Sequence, residues 1–198
     1  MSGRRSEHRA VLITRMPDPF KIYMNAERYR IADAALRSDH YRDIQTSVAA
    51  PAMVLSAFAA ELYFKCIIAL ETEKQLPQTH DLDALYRKLT PTSRKRLDDL
   101  WGVLAASPLM ARVCEAMFVT TGERVPTDLA WYLKNGANAF VRLRYTHEDD
   151  GIGTSFMLVD LPEMLRTIVL EMKPEWRHVR HGIPKQILGF GPLTKPAD

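Results

Sequence analysis

Only two of the 198 residues are cysteine and nine are glycine, and no cofactor-binding signature is present. Cys66 and Cys114 stand singly inside apolar segments, without the paired spacing of a zinc site or the density of a disulfide-stapled secreted domain. They read as two buried thiols in a reducing cytoplasm. The longest charge-free stretch, Ile44 to Ala60, is interrupted by Gln45, Thr46, Ser47, Pro51 and Ser56, so no bilayer-spanning run is expected. The arginine-rich start, MSGRRSEHRA, is followed by VLITRM, which Arg15 and Pro17 cut short, and this argues against an export signal. There is no Walker loop, no Gly-x-Ser-x-Gly elbow and no Cys-x-x-Cys pair. Gly151-Ile152-Gly153 lacks a third glycine and a following helix start, and reads as a turn. His178 and His181 are three apart, but nothing nearby completes a metal-ligand set; beside Arg177 and Arg180 they read as part of a basic tail. Neither a metal nor another cofactor is expected.

What the chain does contain is material for a core: 46% of it is hydrophobic and 26% charged, the balance of one soluble domain. The net charge of +3 is unevenly placed. Residues 1 to 15 carry four arginines against one glutamate, and residues 173 to 198 carry five basic groups against two acidic ones, whereas the stretch between has a net charge of −3. A central body of that sign has no general attraction for a phosphate backbone, so any nucleic-acid site must be local. The organisation expected is a basic arm over residues 1–20, a helical body over 21–172 and a Pro-rich basic tail over 173–198.

Within the body, Ile22, Ala26, Tyr29, Ala32, Ala35 and Leu36 recur at mostly helical spacing, interleaved with Glu27, Arg28, Arg30, Asp33 and Arg37. An amphipathic helix to about Tyr41 is expected. Pro51 to Leu70 is apolar on almost every side and reads as the central helix. Thr79 is the expected N-cap of a short helix through Leu82, Leu85 and Leu89, with His80 packing or capping at its start. Thr90-Pro91 and Ser107-Pro108 each open a further helix. Leu129 to Tyr145 is expected to be helical, and Phe156 to Val159 to be a short extended link. Asp160 and Glu163, at capping-box spacing, then open a last helix to Met172. The fold expected is all-α, an antiparallel bundle of four long helices with shorter ones.

The chemistry-bearing stretch is Arg142-Leu143-Arg144-Tyr145-Thr146-His147, late in an otherwise apolar helix. Cleaving an RNA phosphodiester without a metal requires a proton carrier near neutral pKa and a cation against the anionic transition state. Histidine and arginine suit those two tasks. On an ideal helix Arg142 and His147 stand about 140° and about 7.5 Å apart, so they do not share a face. Bringing them together requires a reaching arginine, a bent or ended helix, or a second subunit. Arg144 with Glu148 is also an ordinary i, i+4 pair, and a histidine in a last turn is favoured by the helix dipole. Glu61 and Lys65 lie one turn apart in the most apolar helix. If buried they must pair with each other or with Arg142 or Arg144, either as a structural ion pair or as part of the site.

Three stretches together resemble the HEPN domain, a helical family found in many bacterial toxins and defence proteins. These are the first helix with Tyr29, Ala32, Ala35 and Leu36; Glu61-Leu62-x-x-Lys65 followed by Thr79-His80-Asp81-Leu82; and Arg142 to His147, which matches the family's Arg-x4-6-His motif. The resemblance spans about residues 22 to 172. It implies a metal-independent endoribonuclease of a toxin, defence or stress system that leaves a 2′,3′-cyclic phosphate. His147 would be the general acid or base and Arg142 the phosphate stabiliser. Arg144 and Tyr145 would bind substrate, with Glu61 and Lys65 supporting. It also implies a homodimer lining one cleft with two Arg/His pairs, RNA as substrate and an antitoxin or other regulatory protein as partner. Leu143 and Asp149 depart from the pattern of active members, which keeps a second reading open: an inactive HEPN-like module binding a nucleotide, an RNA or a protein. A third is a plain interaction protein whose basic arms dock on an acidic partner.

Overall fold

The computed structural model describes residues 17–72, 75–136 and 160–179. Among these residues every regular element is helical: α1 (Pro19–Leu36), a 3-10 segment (Asp39–Ile44), α2 (Gln45–Glu71), α3 (Leu82–Tyr86), α4 (Pro91–Ala105), α5 (Pro108–Thr121), α6 (Leu129–Asn135), α7 (Leu161–Met172) and a closing 3-10 turn (Pro174–His178). The all-α class read from the sequence is therefore the observed one. Of the expected arms over 1–20 and 173–198, residues 1–16 and 180–198 lie outside the described residues, as do the link at 156–159, Gly151-Ile152-Gly153 and His181.

The caps account for most boundaries. Asp18 accepts from Phe20 N ahead of Pro19, so the Pro17-Asp18-Pro19 run starts α1 rather than merely closing an arm. Thr90 and Ser107 cap α4 and α5 as expected, accepting from Ser93 N and Met110 N, each with proline in the first turn. Two expectations fail. The N-cap of α3 is Asp81, which accepts from Ala84 N at 2.9 Å, while Thr79 Oγ1 accepts from Asp81 N at 3.1 Å and forms the turn before it. Asp160 caps nothing: its backbone is left-handed at φ 54°, and its side chain makes no capping hydrogen bond. Glu163 turns to Arg30 Nη1 instead, at 2.9 Å.

Two boundaries also move. α1 ends at Leu36, five residues before Tyr41, and α2 begins at Gln45 and runs through Pro51. Proline in a helix interior removes one N–H and crowds the preceding turn. Pro51 is exposed, so the carbonyl it deprives of a partner lies on the solvent side. Beyond it α2 is the axle of the fold, burying Ala57, Ala59, Ala60, Tyr63, Phe64, Cys66, Ile67 and Ile68 against α1, α3 and α7. α2 is long and apolar enough to cross a membrane by length and composition, and over half of that stretch is buried within this fold.

The contacts of α1 run in opposite sense to its neighbours. Cys66 Sγ reaches the Pro19 carbonyl, Tyr63 meets Glu27, and the Phe58 ring stacks on Tyr29, with centroids 5.0 Å apart. Against α7 and its 3-10 extension, Trp176 packs on Phe20 and Tyr23, Arg166 reaches Glu27, and Glu163 reaches Arg30. On the far side Arg96 of α4 holds Glu171 of α7 at 2.6 Å, and Trp101 Nε1 donates to the Thr127 carbonyl at 2.8 Å, fixing the entry to α6.

Burial separates the two thiols. Cys66 is fully buried, and desolvation pushes its pKa up to about 12, whereas Cys114 is only half-buried, correcting the expectation of two buried thiols. The thiolate is the reactive form, so a disulfide reagent at pH 8 is expected to titrate one thiol per native chain and two after denaturation. Two fast thiols in the native protein would contradict this packing.

Candidate functional site

Two polar clusters sit on different sides of α2, because Glu61 and Tyr63 are two residues apart and so point nearly opposite ways around a helix. The first is centred on Glu61, whose side chain is 6% exposed. Lys65 Nζ donates to Glu61 Oε1 at 2.7 Å, one turn further along the same helix. His80 Nδ1 lies 3.1 Å from Oε1 and 3.0 Å from Oε2 of the same carboxylate. Lys65 is mostly covered and His80 is 56% exposed, so the cluster runs from the interior of α2 to the surface.

The Glu61–Lys65 pair, one of the alternatives left by the sequence, forms; Arg142 and Arg144, the other partners weighed there, lie outside the described residues. His80 corrects its expected role. It precedes the cap residue Asp81 and reaches back across 19 residues to α2, tying the connection before α3 to the central helix. Glu61→Ala strips a mostly buried lysine of its counter-charge and is expected to cost about 1–3 kcal/mol in urea unfolding. His80→Ala removes the exposed arm and should stay within about 0.5 kcal/mol. Equal losses for the two variants would contradict this division.

The second cluster was missed by the sequence reading, which placed Glu27 on the polar side of α1. Glu27 is fully buried. Its carboxylate accepts from the Tyr63 hydroxyl of α2, from Arg30 Nε and Nη2 of its own helix at 3.2 and 3.1 Å, and from Arg166 Nε of α7 at 2.7 Å. Burial pushes the carboxyl up, but hydrogen bonds from Arg30 and Tyr63, the Arg30 charge and the Arg166 hydrogen bond outweigh it. The net result is a carboxyl held below its ordinary value. Burial, then the hydrogen bond to Glu27, raises the Tyr63 phenol. Arg30 extends the chain of charges to Glu163 at 2.9 Å. Tyr23, Ala26, Glu27 and Arg30 share one face at i, i+3, i+4 and i+7, a core stripe in which two positions are charged. That spacing is the signal that was available.

Of the helix expected over Leu129 to Tyr145, the structure describes α6, which ends at Asn135 with Gly136 as its C-cap; residues 137–145 lie outside the described residues, and so do Arg142, Arg144, Tyr145 and His147. Among the described residues no group of three or more His, Cys, Asp or Glu side chains could hold a metal ion. The Glu27 carboxylate is buried and bridges three helices, which suits a structural joint. The Glu61 cluster opens to solvent through His80, and it contains three of the four charged or titratable side chains of the Glu61-Leu62-x-x-Lys65 and Thr79-His80-Asp81-Leu82 stretches, the fourth, Asp81, being the cap of α3. No family model, no curated protein and no solved structure matches the chain.

Proposed function

We propose that the chain is a HEPN-type, metal-independent endoribonuclease. It acts as a homodimer in the cytoplasm within a bacterial toxin, defence or stress system, on an antiparallel helical bundle. RNA is the substrate, and an antitoxin or other regulatory protein the partner. The observation that carries the reading is the convergence of Glu61, Lys65 and His80. These residues stand apart in sequence and belong to the two motif pieces on which the resemblance rests, and they meet in one hydrogen-bonded cluster. The opposed sense of α1 against both α2 and α7 also supports a HEPN-like bundle.

The chemistry follows from the resemblance. The 2′-hydroxyl of a ribose attacks the adjacent phosphorus, the bond to the 5′ oxygen breaks, and the products are a 2′,3′-cyclic phosphate and a 5′-hydroxyl. His147 takes the proton from the attacking hydroxyl or gives one to the leaving oxygen. Arg142 balances the charge that builds on the non-bridging oxygens. Arg144 binds a neighbouring phosphate, and Tyr145 stacks on a base. Two protomers facing one cleft remove the geometric difficulty of an Arg and a His five residues apart.

The test is incubation of the folded protein with total RNA in EDTA, followed by mapping of the new 3′ ends. Fragments ending in a 2′,3′-cyclic phosphate are expected. RNA left intact by protein that is folded and dimeric ends the nuclease reading. Binding that falls with salt and with Arg144→Ala would then select the inactive, RNA- or nucleotide-binding alternative.

A further inference from the structure

α5 buries little of itself. Met110 is the one fully buried side chain among its described residues, held under the Tyr132 hydroxyl at 3.5 Å, while Leu109 is 39% exposed, Phe118 41% and Val119 76%. The helix is fastened at its end by Gly122, whose left-handed φ of 74° lets its N–H close on the Phe118 carbonyl at 2.8 Å. The Arg124 guanidinium lies over the Phe118 ring. Its outward line, Pro108, Arg112, Glu115 and Val119, follows spacings of four, three and four, the single face opposite Met110. An exposed apolar helix face with one arginine and one glutamate at its middle calls for a partner of matching pattern.

The pattern of this face is its own complement. Read backwards about the point between Val113 and Cys114, its outward line exchanges Pro108 with Val119 and Arg112 with Glu115. Two such helices laid antiparallel about a two-fold axis put apolar against apolar at both ends. At the centre each arginine stands opposite the other chain's glutamate, an isologous contact. Neither Arg112 nor Glu115 has an ion pair with a described residue, so both are available for that exchange. We infer that the outer face of α5 is a self-association surface whose occupant is the same helix of a second copy of this chain, paired antiparallel through reciprocal Arg112–Glu115 contacts. The surface is argued apart from the cleavage chemistry: a dimer that leaves RNA intact keeps this inference and ends the nuclease reading, and a dimer that cleaves RNA but is indifferent to reversal of Arg112 and Glu115 does the reverse.

Contact through one 14-residue helix lies at the small end of specific interfaces, so association in the micromolar range is expected. Sedimentation velocity on the full chain across a concentration series reads it. Arg112→Glu and Glu115→Arg each bring like charges together at two points and are expected to weaken dimerisation roughly tenfold or more. The double variant Arg112→Glu/Glu115→Arg restores opposite charges and should return to within about threefold of the unmutated protein. Both positions are exposed, and unchanged circular dichroism and melting temperature separate a lost interface from a lost fold. A chain that stays monomeric throughout the series overturns the inference, as does a dimer indifferent to the single reversals or not recovered by the double one. Protein that remains monomeric and instead co-sediments with anionic phospholipid vesicles overturns it in favour of a membrane surface.

Discussion

Replacing Glu27 with alanine is expected to destabilise the protein by about 3–5 kcal/mol, the cost of removing one partner from a buried charge network. The carboxylate joins three helices at once: α1 through Arg30, α2 through Tyr63 and α7 through Arg166. Without it two guanidinium groups face each other with no counter-charge between them, and the fully buried Tyr63 loses its acceptor. Against a typical total of about 5–15 kcal/mol that is a large fraction. For a chain of this size the melting temperature should fall by roughly 6–20 °C. Thermal circular dichroism measures it, and a loss under about 1 kcal/mol would show that the joint contributes little.

The same carboxylate sets an acid limit. Its folded pKa is lower than its unfolded one, so its contribution is complete above the ordinary carboxylate range and is lost as pH falls through the folded value. Glu171, held below its usual value chiefly by the hydrogen bond from Arg96, acts in the same direction from the surface. Stability of the unmutated protein should therefore decline below about pH 4.5. Glu27→Gln, which keeps the shape and loses the titration, should show a shallower decline.

For RNA cleavage, His147→Ala is expected to lower the rate about 10²–10⁴-fold, the usual contribution of a positioned acid or base. Arg142→Ala should cost about 10²–10³-fold through the unbalanced phosphate charge. Both variants should keep the melting temperature and the oligomeric state of the unmutated protein. A His147→Ala variant that cleaves at the original rate removes the histidine from the chemistry, even if the protein is a nuclease.

Much of the fold was readable because its signals are local. Thr90-Pro91 and Ser107-Pro108 start helices through hydrogen bonds spanning three residues, and both appear as expected. The dense apolar run after Pro51 could only be a buried helix. The misreadings concern choices made at a distance or between equal local options. Thr79 and Asp81 are both good caps, and the chain uses Asp81 as the cap and Thr79 for the turn. Asp160 and Glu163 have capping-box spacing, but Glu163 is drawn to Arg30, 133 residues away. Glu27 looks like any surface glutamate until Arg166 and Tyr63 are in place around it. At the candidate site, Glu61 and Lys65 were legible as a pair from one turn of helix. The participation of His80 depends on how the connection before α3 returns to α2, and no local rule states that.

The distance between Glu27 and Arg166 has a consequence for biosynthesis. As the chain leaves the ribosome, α1 and α2 emerge well before α7, and the groove that will hold Leu165, Ile168 and Val169 stands open with only Arg30 and Tyr63 to balance a carboxylate. Translation that stops before α7 is expected to leave a half-built polypeptide with bare greasy flanks, the kind of chain that chaperones and proteases engage.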